Sequence, residues 1–548
     1  MTQNGNDHII DASDRDEQGR PIARPRLTPS QDTRDKVCLM PPAAVIPIVF
    51  LPGIMGTNLK ALDSGNSVWR PPNMDGVGSI LDALAQLFAF WFKGPATRKR
   101  QLDPTNVEVD PSGSIDAEDT INEELARQRG WGSVMRSAYN PIMAQMELRL
   151  NNILKACEAM EWWDAEGQRE PSDYGEQHGN PKLSEDELKQ AARYRYEVWA
   201  GGYNWLQSNI QSAADIKAYI EDKILASYPE DQRAKMKVIL VTHSMGGFVA
   251  RALTEIHGFD KVLGVVHGAM PATGAPAFYH HVRCGYEGIE SVILGRDAAE
   301  VVAVAANAPG ALELTPTFDY AGGRAWLKLG DDAESMPGCA LPASGDPYQE
   351  IYKNRAWYGL IPKHNEDLIE PGKLVSNTQK IKSIGGSRSS FTAFDAKIDD
   401  VQAFHRQFSM KYAKPAFCHY GADTRSKTWS ETRWQGRLSG LPDELQVEND
   451  DGNGRLTVTG GAGSIRLEFA DPIGAGDGTV PSESGGAPGD AGVEAIFRQG
   501  DQGIGAYVRK NGNGKDKGYE HQSAYNDVRA QWATLYGIVR IAKEADWA

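Results

Sequence analysis

The chain has 548 residues and a formal net charge of −15, with 58 Lys and Arg against 73 Asp and Glu. This acidic balance repels a phosphate backbone, so no nucleic acid partner is expected. Cys38, Cys157, Cys284, Cys339 and Cys418 are odd in number, widely spread and free of C-x-x-C pairs, which argues against a zinc knuckle or a disulfide framework. No stretch reaches the roughly 18 apolar residues of a membrane-spanning helix, so any membrane contact is expected to be peripheral.

Residues 1–42 are polar, charged and broken by proline. They lack the basic start and apolar run of an export signal and read as a disordered tail. Order is expected from Ala43, and 43–78 start the core. Val45-Ile-Pro-Ile-Val-Phe-Leu51 is the run of a strand buried on both faces. Pro52-Gly-Ile-Met-Gly-Thr-Asn58 follows at its carboxyl end, where open α/β sheets place binding loops. In Ser79–Phe92, Ile80, Leu81, Leu84, Leu87, Phe88 and Trp91 share a helical face, which suits a core helix, a lid or an interfacial helix alike. The segment 79–190, polar with clusters such as Trp131, Met143, Met146, Trp162 and Trp163, reads as a helical cap or lid insertion.

The core returns over 191–276, with a strand near Tyr194, an amphipathic helix marked by Ile216, Ile220, Ile224 and Leu225, and then Lys237-Val-Ile-Leu-Val-Thr-His-Ser-Met-Gly-Gly-Phe-Val-Ala-Arg-Ala-Leu253. There an apolar strand gives way to a helix, with Ser244 on the turn between them, the form of a nucleophile elbow. Thr242 stands where the G-x-S-x-G pattern has glycine, so an ordinary turn serine remains an alternative for this segment taken alone. Val262–His267 is a further strand, and the loop Gly268–Pro276 should lie beside the elbow. The span 277–406 shows no strand period and reads as a second cap insertion with an aromatic interior of Trp326, Tyr348, Trp357 and Tyr358. The core ends over 407–548, with a strand at Pro415–Tyr420, a hairpin excursion over 443–460, and a strand at Ile465–Phe469.

The remaining chemistry lies late in the chain. Asp477 sits in the glycine-rich loop Asp471-Pro-Ile-Gly-Ala-Gly-Asp-Gly-Thr-Val-Pro481, and His521 at the entrance to a last helix, Asn526–Ala542. Ser244, Asp477 and His521 follow the order Ser, acid, His of the α/β-hydrolase triad. His419 and Asp423 are the runners-up. His243 adjoins the nucleophile, so its side chain points away and cannot act as base. The amides of Met245 and Ile54 are the candidate oxyanion donors. Adjacent His280 and His281 are split onto different faces, so no metal site is indicated. Nothing indicates a cofactor, and a calcium requirement stays open.

Pro52-Gly-Ile-Met-Gly, Gly202-Tyr-Asn-Trp, His243-Ser-Met-Gly and Gly476-Asp-Gly-Thr-Val resemble, in the same order, the motifs of lecithin:cholesterol acyltransferase-like α/β-hydrolases. A closer resemblance is to type VI secretion phospholipase effectors of the third Tle class, carried by Thr242-His-Ser-Met-Gly-Gly247, Gly202-Tyr-Asn-Trp-Leu-Gln-Ser208 and Glu520-His-Gln-Ser-Ala-Tyr525. The resemblance implies an α/β-hydrolase core with a mostly parallel sheet and large, mainly helical cap insertions. It also implies a serine phospholipase made in the cytoplasm and injected into a competitor's periplasm. Its expected partners are a phospholipid membrane, a cognate immunity protein and a type VI delivery protein, spike or adaptor. An intracellular esterase or acyltransferase, or a binding module on a hydrolase fold, are the alternative readings.

Overall fold

The structure, a computed structural model, describes residues 42–70, 94–155, 158–286, 295–336, 338–371, 389–461, 463–500 and 519–548, with short strand fragments in the flanking segments. The apolar segment Ser79–Phe92 lies outside the described residues, as does most of the tail 1–42, in which His8–Asp11 pairs with Lys36–Leu39. The strands that matter below are β1 (Val45–Leu51), β2 (Arg195–Ala200), β3 (Val238–His243), β4 (Val262–Gly268), β5 (Leu327–Leu329) and β6 (Ala340–Leu341). They are followed by β7 (Ala416–Thr428), β8 (Thr432–Gln435), β9 (Gln446–Asp450), β10 (Arg455–Gly460), β11 (Gly463–Phe469), β12 (Gly474–Gly476) and β13 (Ala495–Gly500). The helices that matter below are α1 (Arg136–Leu150), α2 (Asn209–Ala218), α3 (Gly246–Arg251), α4 (Ala277–Cys284), α5 (Ser390–Phe408) and α6 (Val528–Ala542).

The central sheet runs β2-β1-β3-β4-β7, all parallel. Strand β13 continues it in parallel along the first half of β7, and β12 pairs antiparallel with the second half. Every residue of β1 and β3 is buried, because helices cover both faces of a parallel sheet. One face packs Ile46, Ile48, Phe50, Ile239 and Val241 against α1 and α6. The other packs Val49, Leu51, Leu240 and Val265 against α2, α3 and the end of α5. This is an α/β-hydrolase core.

Two expectations change here. Helix α1 does not belong to a lid, although it falls inside 79–190. Tyr139, Ile142, Met143 and Met146 are fully buried on the sheet itself. Pro141 within α1 has no N–H to offer the Ser137 carbonyl one turn back, and Asn526 Nδ2 donates to that oxygen instead, at 3.2 Å. The second expectation concerns 277–406, which is not helical alone. Strands β5 and β6 join a six-stranded sheet of order β6-β5-β8-β11-β10-β9, so the 443–460 hairpin belongs to a second body and is no edge excursion. That sheet buries Trp326, Trp434, Leu456 and Leu467 against Tyr279 of α4 and Phe394 of α5.

Glu313 lies between Leu312, which packs in the second body, and Leu314, which packs on the hydrolase body. Its Oε2 accepts from the Asn209 amide at 2.9 Å and from Asn209 Nδ2 at 2.6 Å, at the start of α2. Its own carbonyl accepts from His405 Nε2 on α5, at 2.7 Å. Burial pushes this carboxyl up to about 8. The folded form therefore keeps a proton that the unfolded chain releases. The contribution is full below about 4.5 and is lost as the pH rises toward 8. Across that window the wild type should lose on the order of a few kcal/mol that Glu313→Gln keeps. Melting temperatures recorded from pH 4.5 to 8 should fall more steeply for the wild type, and parallel curves would contradict the assignment.

Candidate active site

Ser244 adopts φ 51, a left-handed conformation that a side chain rarely accepts. The turn is held from several sides. The Ser244 amide donates to the Gly268 carbonyl at the end of β4 (2.9 Å), and the Gly247 amide donates back to the Ser244 carbonyl (2.9 Å). Backbone crowds the first of the two glycines that follow, and the Met270 side chain crowds the second. A Cβ on Gly246 would lie 2.4 Å from the Leu51 carbonyl oxygen, and one on Gly247 would lie 2.3 Å from Met270 Sδ. Thr242 fits two residues before the serine because its side chain is buried toward β4, where Oγ1 meets His267 Nδ1 at 3.1 Å. The elbow expected from sequence is present, with threonine tolerated in the glycine position.

The structure brings Ser244, Asp477 and His521 together. His521 Nε2 lies 2.9 Å from Ser244 Oγ, and His521 Nδ1 lies 2.7 Å from Asp477 Oδ2. With Nδ1–H donating to the carboxylate, Nε2 is left to accept the serine proton. The other oxygen of Asp477 accepts from the amides of Thr479 (3.0 Å) and Val480 (2.7 Å), which is what the glycine-rich turn is shaped to provide. The His521 loop is tethered along its backbone as well. The His521 amide donates to the Asp477 carbonyl at 2.8 Å, and the Tyr519 amide donates to Asp423 Oδ2 at 3.1 Å.

The runners-up stand apart from the serine. Asp423 is paired with Arg425, whose side chain and the neighbouring bonds hold that carboxyl below its usual range against the cost of burial. His419 is buried between Tyr519 and Thr534, and that burial drives its imidazole down to about 3.

Met245 precedes the first residue of α3, so its amide belongs to the unpaired end of a helix. The loop Pro52–Gly56 closes on itself through the Gly56 amide and the Gly53 carbonyl (3.0 Å), with Met55 at φ 62. The Gly202-Tyr-Asn-Trp motif supports that loop from below. Tyr203 Oη donates to the Pro52 carbonyl at 2.8 Å, and the Tyr203 amide donates to Thr57 Oγ1 at 3.2 Å. His280 and His281 stack on Trp429 and Tyr286, with ring centroids 4.0 and 3.9 Å apart. Among the described residues no group of three or more His, Cys, Asp or Glu could hold a metal, and no helix is long and apolar enough to cross a membrane.

Sequence reasoning overlooked Tyr139, whose hydroxyl lies 3.0 Å from His243 Nδ1 beneath the serine. No motif marks it.

No curated protein matches this chain. A family model described as a PGAP1-like alpha/beta domain matches residues 208–307, the stretch that carries β3, the elbow and β4. A chain from the crystal structure of a Tle4–Tli4 complex is 44% identical, covers 92% of this chain and 100% of its own length, and superposes with a TM-score of 0.79. The resemblance to type VI phospholipase effectors therefore holds, with the relative named Tle4 where the motifs had suggested the third class. The chain belongs to the Tle4 family of type VI phospholipase effectors, built on an α/β-hydrolase core.

Proposed function

We propose that the protein is a serine phospholipase of the A type that cleaves acyl esters of membrane phospholipids. The observation that carries this reading is the unbroken chain Ser244 Oγ, His521 imidazole, Asp477 carboxylate, with links of 2.9 and 2.7 Å. His521 takes the hydroxyl proton as Ser244 attacks the ester carbonyl, and Asp477 holds the ring in the required tautomer and stabilises its positive charge. The Met245 and Ile54 amides receive the oxyanion. Collapse expels the lysolipid with the proton from His521 and leaves an acyl-serine. Water, deprotonated by the same histidine, then releases the fatty acid and restores the serine.

The physiological reading follows the family. The protein is injected through a type VI apparatus by a spike or adaptor protein and acts on the bilayer from the target's periplasm. A cognate immunity protein restrains it where it is made, as the Tle4–Tli4 complex suggests by analogy.

Fatty acid release from phospholipid vesicles should be seen with wild-type protein and be absent with Ser244→Ala of the same circular dichroism, with and without calcium. Turnover by that variant would sink the nucleophile assignment, and cleavage of short soluble esters alone would move the substrate away from membranes. Asp477→Asn should lower kcat by about four orders of magnitude while leaving the fold intact, because it favours the wrong tautomer. Steady-state kinetics on vesicles check this.

A further inference from the structure

One chain of hydrogen bonds runs beneath the triad and touches both halves of the site. The Gly53 amide, in the loop that carries Ile54, donates to Tyr139 Oη at 3.2 Å. Tyr139 Oη lies 3.0 Å from His243 Nδ1, and His243 Nε2 lies 3.0 Å from the main-chain carbonyl of His521. A carbonyl only accepts, so Nε2 carries the imidazole proton, Nδ1 accepts, and the tyrosine hydroxyl donates to it. Every donor then points the same way, from the oxyanion loop to the histidine loop, and bonds so aligned reinforce one another.

Three further observations say that this alignment is built. Burial, with the nearby His521 adding to it, holds His243 well below its usual value, so the ring stays neutral and its direction does not reverse with pH. The loop glycines make room for the chain. A Cβ on Gly53 would lie 2.9 Å from His243 Nδ1, and one on Gly56 would lie 2.7 Å from the Tyr139 hydroxyl. Helix α1, which supplies Tyr139, is also fastened to the segment after His521, through Asn526 Nδ2 on the Ser137 carbonyl and Gln522 on Met135.

We infer that Tyr139 and His243 are positioning residues that hold the oxyanion loop and the His521 backbone in mutual register, so that proton transfer and oxyanion binding are set by a single buried tie. The inference rests on the triad reading given above. Neither side chain touches Ser244 Oγ or the reacting ester. They act through the Gly53 amide and the His521 carbonyl.

The test is vesicle hydrolysis by full-length Tyr139→Phe, His243→Leu and His243→Gln beside Ser244→Ala, with melting temperatures recorded for each. Tyr139→Phe and His243→Leu should lower kcat by about 10- to 100-fold with KM within about twofold, since a misplacement on the order of 1 Å is worth that much. Glutamine presents one donor and one acceptor across a similar span, so His243→Gln should recover most of the rate lost by His243→Leu. Wild-type kcat in Tyr139→Phe and His243→Leu, with Ser244→Ala silent, would overturn the tie and leave the triad standing. So would equal rates for the glutamine and leucine variants. Turnover by Ser244→Ala would overturn the triad itself.

Discussion

The left-handed turn at Ser244 is the constraint on which the rest of the molecule depends. A side chain at φ 51 costs on the order of 1 kcal/mol, and such a turn persists only where its surroundings over-determine it. Here β3 is gripped by β1 on one side and β4 on the other, and α3 approaches the β1 carbonyls so closely that only glycine fits. If the turn relaxed, the hydroxyl would fall back toward the sheet, away from the His521 imidazole and the Pro52–Gly56 loop. The buried parallel sheet therefore acts as a clamp for one residue.

The partners of that residue are supplied differently. Asp477 and His521 come from loops, and loops hold an angle only when their backbone is tied down. The ties are specific: the Thr479 and Val480 amides on one carboxylate oxygen, the Asp477 carbonyl on the His521 amide, and Asp423 on the Tyr519 amide. Asp423, a rival for the acid from sequence alone, thus supports the histidine segment two residues upstream. The second sheet keeps to its own core, and Glu313 meets the hydrolase body at the start of α2.

The central strands β1, β3 and β4 were legible because a strand covered on both faces is an unbroken apolar run, and the grouping of Ser244, Asp477 and His521 was legible through chain order. Strand β13 escaped notice. Ala-Ile-Phe-Arg-Gln-Gly offers only three apolar residues before exposed Arg498, and it follows a glycine-rich stretch that reads as loop. Strands β5 and β6 have three and two residues, too short for a period of two to show, and β5 finds its parallel partner β8 about a hundred positions away. Helix α1 was placed in a cap because the segment around it is polar, although Tyr139, Ile142, Met143, Met146 and Leu150 recur at helical spacing and mark the face that packs on the sheet. Tyr139 carries no motif that sets it apart from the rest of that face. Its role depends on a neighbour 104 positions later, a separation that no local spacing encodes.

The serine and its histidine are separated by 277 positions, and β7, β12 and β13 all lie between them. Chains emerge from the ribosome amino end first, and early segments begin to fold before late ones exist. The elbow can form on β1, β3 and β4 while Asp477 and His521 are still untranslated. On the proposed triad, a nascent chain therefore offers Ser244 no base until His521 is in place. Under that proposal reactivity waits for the His521 loop, and a restraining partner is needed only from then on.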